Sequence, residues 1–168
     1  MRAKDVVVAG VCGAILFISQ IAFAFLPNIE LVSVMIIAFT LVIEKKTLYS
    51  IYVFALCEGL YYGFGVWWFM YLYVWTILYF LVRLFRWNHS VLLWAFLSGG
   101  YGLSFGALCS IPYFFIGGIG GGVGYWISGI PFDLLHGAGN FVVALVVLKP
   151  LCWVLRQTIG QNGTDGKR

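Results

Sequence analysis

The sequence predicts an all-α protein: a bundle of six transmembrane helices with both termini in the cytoplasm and a glycine-rich external loop between the fifth and sixth helices. Three features of the chain lead there. Of its 168 residues, 62% are hydrophobic and only 10% are charged, whereas a soluble globule of this size buries only about two thirds of its unfolded surface. Lipid is therefore the solvent. Apolar runs near the roughly 20 residues that cross a bilayer recur along the chain. The basic residues, finally, fall at alternate ends of those runs.

The first run is Lys4–Leu26, within "MRAKDVVVAGVCGAILFISQIAFAF". A basic start and Ala22-Phe23-Ala24 near its end imitate a signal peptide. Its apolar stretch exceeds the usual length of roughly 7–15 residues and more spans follow, so a retained helix is expected. Pro27 punctuates its end. Ile29–Ile43 is the second run; its apolar core, Leu31–Ile43, is short and either spans with little tilt or is partly re-entrant. Thr47–Phe64, Trp67–Phe85 and Ser90–Ile116 are the third to fifth. "GGIGGGVGYWISGIP", Gly117–Pro131, reads as the last external loop, either a flexible lid or a plain connection. Its glycines miss the dinucleotide spacing and follow no strand. Pro131 then opens the sixth helix, Phe132–Leu155. Residues 1–157 form one membrane-embedded domain and 158–168 a polar cytoplasmic tail.

Ten Lys and Arg against six acids give a formal charge of +4. With the N-terminus inside, Arg2, Lys4, Lys45, Lys46, Arg83, Arg86, Lys149, Arg156, Lys167 and Arg168 all fall on the cytoplasmic side. The opposite loops hold Asn28 and Glu30, the glycine-rich stretch and Asp133, without a Lys or Arg. The positive charge thus reports topology and contact with the lipid bilayer, not nucleic-acid binding.

Polar groups gather in the outer half. Gln20, Glu58 and Ser110 lie at roughly 9 Å from the outer helix ends, and His136 and Asn140 at about 6 and 12 Å. Asp133, His136 and Asn140 share a helix face at steps of three and four. A carboxylate such as Glu58 costs about 2.5–3.5 kcal/mol in hydrocarbon, so it is expected to face the bundle interior. One reading makes Glu58 and His136 a buried polar pair that holds helices together, although an interhelical hydrogen bond averages only about 0.6 kcal/mol. The other makes them walls of a pocket. Aromatic residues at the same mouth favour the pocket: Tyr62 lies one turn outward of Glu58, Trp67 is close by, and Trp68, Tyr71 and Trp75 repeat at three and four. Rings beside a carboxylate and an imidazole suit a planar heterocycle that carries donors or positive charge.

Small residues form two further patterns. Ser98, Gly102, Gly106 and Ser110 make a stripe at spacing four, best explained by close helix packing. In the first helix Ala9 pairs with Gly13 and Gly10 with Ala14, which suits either packing within the bundle or docking of a second membrane protein. Cys12, Cys57, Cys109 and Cys152 lie in apolar runs at unrelated spacings, as buried hydrophobes rather than a disulfide framework or metal site. No cofactor is expected.

Those features, with the stretches "LPNIELVSVMIIAFTLVIEKKTLY", "YGFGVWWFMYLYVWTILYF" and "GALCSIPYFFIGGIGGGVGYWISGIPFDLLHGAGNF", resemble the substrate-binding S components of energy-coupling factor transporters, in one bacterial branch. The resemblance covers most of the chain. It implies a high-affinity binder for a vitamin or similar micronutrient in the cell membrane, docked on a membrane T subunit and driven by two cytoplasmic ATPase subunits. The family carries alanines at spacing four in its first helix, which places docking at Ala9 and Gly13 or at Gly10 and Ala14. Substrate is bound in the outer half, which implies a site from Gln20, Asn28, Glu30, Glu58, Tyr62, Trp67, Trp68, Tyr71, Asp133, His136 and Asn140. Thiamine-like cations fit this inventory; cobalamin, pyridoxine-type and other heterocycles remain open.

The competing classes are an intramembrane enzyme that uses Glu58 and His136 as base and acid, and a stand-alone channel or scaffold. The chain lacks the H-E-x-x-H zinc signature and a Walker A sequence. It is expected to be no enzyme and to take its energy from partner ATPases.

Overall fold

Chain segments this apolar become helices because a backbone in lipid must satisfy its own hydrogen bonds. The computed structural model describes residues 3–159, and among them every regular element is a helix. They are α1 (Ala3–Ala22), α2 (Val32–Ile43), α3 (Lys46–Tyr62), α4 (Val66–Leu84), α5 (Val91–Leu103), α6 (Phe105–Cys109) and α7 (Ile111–Ile159). Three of them, α1, α4 and α7, are long and apolar enough to cross a membrane; α2 and α5 are shorter apolar helices. Of the expected polar tail, Thr158 and Ile159 continue α7, and the rest lies outside the described residues, as do Arg2, Lys167 and Arg168.

Packing fixes the direction of each helix. Asp5 and Lys46 pair at 2.7 Å, and further along the backbone at Gly13 meets Val53 and Ser50, so α1 and α3 run parallel. Glu44 and Arg83 meet at 3.6 Å and join the ends of α2 and α4. One end of the bundle therefore collects the basic residues, and the other collects the α1–α2 and α3–α4 connections. At the centre stands α2, which buries nine of its twelve residues. Its Ile36 and Ile37 are fully buried, as are Leu16, Ile51, Phe54 and Leu78 around it. Val11, Phe80, Phe96, Leu134 and Val146 point outward and are exposed, the inverse of a water-soluble surface and the form a lipid-facing belt takes.

The largest departure from expectation is the glycine-rich stretch. Gly117–Pro131 is not a loop: only Gly118 leaves helical geometry (φ 63°, ψ −163°) and the helix resumes at once. The chain folds back there as a helical hairpin. Tyr113 stacks on Tyr125 with centroids 4.2 Å apart, and the Phe114 ring fills the space that a side chain at Gly122 would need. Glycine loses about 1 kcal/mol per residue in a helix relative to alanine, but an unsatisfied backbone group in hydrocarbon costs several. The second term wins. From Gly118 to its end α7 extends roughly 60 Å, about twice the hydrocarbon core of a bilayer. Pro131, expected to open the last helix, lies inside it.

Further inward the hairpin closes on small residues. Gly102 approaches the His136 backbone at 2.9 Å and Gly99 meets Gly137 O at 3.1 Å, measured from where a Cβ would stand. The expected fifth helix is interrupted at Ser104 and Ser110. The Ser104 and Ser110 hydroxyls donate back to Gly100 O and Ala107 O, a contact that bends helices. Between them the Gly106 amide leaves the helical ladder and donates to Asp133 Oδ1 at 2.9 Å.

Two smaller corrections concern α1 and α2. The first helix ends at Ala22, and residues up to Leu26 continue as turns ahead of Pro27. The second begins at Val32, because Glu30 takes the Ser33 amide (2.9 Å) that would otherwise lack a partner in the first turn. In α1, Ala9 and Gly13 are buried, Gly13 against α3, so this pair is internal packing and not a docking face. Gly10 and Ala14 are half-exposed, and the space beside Gly10 is open.

Candidate functional site

At the end of the bundle away from the basic residues, three adjoining hollows of about 330 Å³ each open between α1, α3, α4, α6, α7 and the α1–α2 connection. Breaks in the helices make room for them. The α1–α2 connection turns at Asn28, whose φ of 58° is one that asparagine tolerates better than most side chains. That turn places Pro27, Asn28 and Glu30 over the central hollow.

His136 and Glu30 face each other across this hollow, Nε2 to Oε1 at 3.3 Å. Phe105 braces the imidazole, with ring centroids 4.9 Å apart. Glu30 lies outside the helices. Burial pushes its carboxyl up, but the His136 and Ser33 hydrogen bonds and the His136 charge outweigh it and hold the group below the usual carboxylate range. One turn deeper, Asn140 donates to Ser33 Oγ at 3.1 Å. Two rungs thus tie the start of α2 to α7.

On the facing wall, Gln20 donates to the Tyr71 hydroxyl at 3.2 Å. Tyr71 meets Trp67 and Trp75 edge-on, at 5.4 and 5.6 Å. Trp75 continues to Phe105 at 5.5 Å. These rings form a continuous aromatic wall along the hollow.

Gln20, Ala24 and Tyr71 also line the second hollow, with Glu58, Tyr62 and Trp67. Glu58 is 2% exposed, and its Oε1 has no hydrogen-bond partner among the described residues. A buried carboxyl oxygen left in that state is expensive unless something else donates to it. The third hollow shares Asn28 and Phe105 with the first and is lined also by Tyr125, Ser128 and Asp133. Asp133 Oδ2 likewise lacks a partner, and Gly106 packs so closely that a methyl there would collide with it.

Nine of the eleven expected site residues line these spaces: Gln20, Asn28, Glu30, Tyr71 and His136 the first, Glu58, Tyr62 and Trp67 the second, Asp133 the third. Trp68 does not. Its indole N–H donates to Ala55 O at 2.8 Å and its ring packs on Phe64, so it fastens α4 to α3. Asn140 lies buried beneath the site on Ser33. The pairing of Glu58 with His136 is also corrected: His136 takes Glu30, while Glu58 stands in the neighbouring hollow beyond Gln20 and Tyr71. Phe105 and Trp75 line the central hollow without having been expected there. Trp75 stood in the aromatic repeat with Trp68 and Tyr71, and that repeat was the signal for it.

No family model matches the chain, and neither a curated protein nor a solved structure matches it.

Proposed function

We propose that this chain is the membrane-embedded substrate-binding subunit of an energy-coupling factor transporter in a bacterial cell membrane. It captures a vitamin or related heterocyclic micronutrient from outside. The alternating helix directions and the collection of basic residues at one end support six crossings, with that end in the cytoplasm. The hollows then open outward.

One observation carries the reading: Glu58, buried with an unpartnered oxygen, stands beside an aromatic wall, in a hollow adjoining that of the Glu30–His136 pair. Such a site takes a flat ligand with a donor or cationic group for Glu58 and an acceptor or donor for the His136 edge. The Gly10 and Ala14 side of α1, where a neighbouring helix can approach closely, is the face for the T subunit, and two ATPase subunits supply energy. In this reading the chain binds and delivers; it performs no chemistry.

Mass spectrometry of small molecules that copurify with the protein in mild detergent tests it. A heterocycle with a basic or donor group is expected, and its retention falls in Glu58→Gln. A protein that retains and binds no such compound, alone or with its partner module, refutes the proposal.

A further inference from the structure

A hollow of about 430 Å³ lies at the other end of the bundle, between the α4–α5 connection, α2 and the last turns of α7. Arg86, Lys149 and Arg156 stand around it, and Leu41, Leu148 and Trp153 make its apolar side. The acids nearby already have partners: Asp5 holds Lys46 at 2.7 Å and Glu44 holds Arg83 at 3.6 Å. Among the described residues, no carboxylate lies within ion-pair reach of Arg86, Lys149 or Arg156. Three cations around one space repel one another unless an anion joins them.

The connection that carries Arg86 is held firmly. Trp94, buried, donates its indole N–H to Asn88 O at 3.2 Å. Asn88 Oδ1 in turn accepts the Ser90 amide at 2.7 Å. The Arg86 guanidinium lies 4.7 Å above the Trp87 ring. Trp87 and Trp153 are 72% and 64% exposed, as amphipathic rings are at the level of lipid headgroups. The hollow is therefore cationic at its edge and oily at its side, which is the polarity of one phospholipid molecule.

We infer that this hollow binds the phosphate of an anionic phospholipid between Arg86, Lys149 and Arg156, with an acyl chain along Leu41 and Trp153. Basic pockets between membrane helices on the cytoplasmic side bind lipid headgroups by the same electrostatics. The site is separate from the cavity at the far end and stands or falls without it.

Thermal denaturation of the full chain in detergent tests the inference, with added dioleoylphosphatidylglycerol, dioleoylphosphatidylcholine or inorganic phosphate. The anionic phosphatidylglycerol is expected to raise the midpoint by about 3 °C or more, and the other two by less than about 1 °C. Substitution of glutamine for Arg86, Lys149 and Arg156 together abolishes the rise. If that variant does not fold, Lys149→Gln lowers the rise and Lys149→Arg keeps it. An equal rise with the choline lipid, or a rise that survives loss of the charges, overturns the inference. Phosphate alone reproducing the effect assigns the hollow to a soluble anion and overturns the lipid. No rise with any of the three also overturns it and leaves the charges to an acidic segment of a protein partner.

Discussion

A double-mutant cycle on Glu30 and His136 tests whether the roof of the cavity is anchored to α7. The two side chains are 13% and 6% exposed, and the N–O separation is 3.3 Å. With the imidazole protonated, unit charges at that distance and an effective dielectric constant near 20 give an attraction of about 5 kcal/mol. Desolvation opposes it by several kcal/mol per ion. Couplings between contacting residues run about 0.5–3 kcal/mol, and about 1–2 kcal/mol is expected here. For a chain of this length each kcal/mol moves the melting midpoint by about 2–4 °C. Glu30→Gln, His136→Gln and the double variant are compared in detergent with bound small molecules removed. The single losses are expected to exceed additivity, with the double variant little worse than either single one. Strict additivity refutes the anchoring.

The same pair carries a pH dependence with a definite sign. The carboxyl of Glu30 is held below its unfolded value of about 4.3. Its stabilisation is thus fully present above that value and is lost as pH falls through the lower folded value. Wild type and Glu30→Gln differ at neutral pH and converge only as the pH falls below about 4.3 and through the lower folded value.

Three other outcomes follow from particular contacts. Glu58→Gln raises the ligand-free melting midpoint by about 2–4 °C, because a neutral amide is less costly to bury than a carboxylate; it weakens the retained ligand by about tenfold or more, read by equilibrium binding. Gly118→Ala forces a side chain into a backbone region that is essentially glycine's alone, with an expected loss of about 1–3 kcal/mol by denaturant titration in mixed micelles. Gly13→Leu, pressed onto Val53, destabilises by about 1–3 kcal/mol, whereas Gly10→Leu, facing open space, leaves the midpoint unchanged.

The helical class and most helix positions were legible because hydropathy and punctuation act locally. The same local logic failed at Gly117–Pro131. Seven of its fifteen residues are glycines, which argues for a loop in water, but the rule applied there ignores what the second arm of a hairpin can accept. Gly121 and Gly122 lie where Tyr113 and Phe114 of the first arm press in, so their lack of side chains serves packing. The site was legible as an inventory and not as a wiring diagram. Periodicity put Asp133, His136 and Asn140 on one face, yet nothing in it says that His136 reaches Glu30, far away in the chain, in preference to Glu58. Asn140 shows the same limit, since a polar residue one turn below a pocket looks in sequence like one inside it.

Where the helices stop being regular is also where the polar groups converge. Glu30 lies before α2 begins and takes the Ser33 amide; Asp133 takes the Gly106 amide between α5 and α7. In hydrocarbon a broken ladder is tolerated only where protein groups or a polar cavity satisfy the backbone it frees. The two carboxylates therefore serve first as caps for interrupted helices, and their remaining oxygens reach His136 and the open space beside Tyr125 and Ser128. Glu58 has no such backbone duty. It sits inside an unbroken helix, α3, with one oxygen unpartnered, and no requirement of the fold accounts for a carboxyl there. Among the acids around the cavity it is the one with no backbone group to cap, and for that reason its substitution, under the proposed function, separates binding from folding.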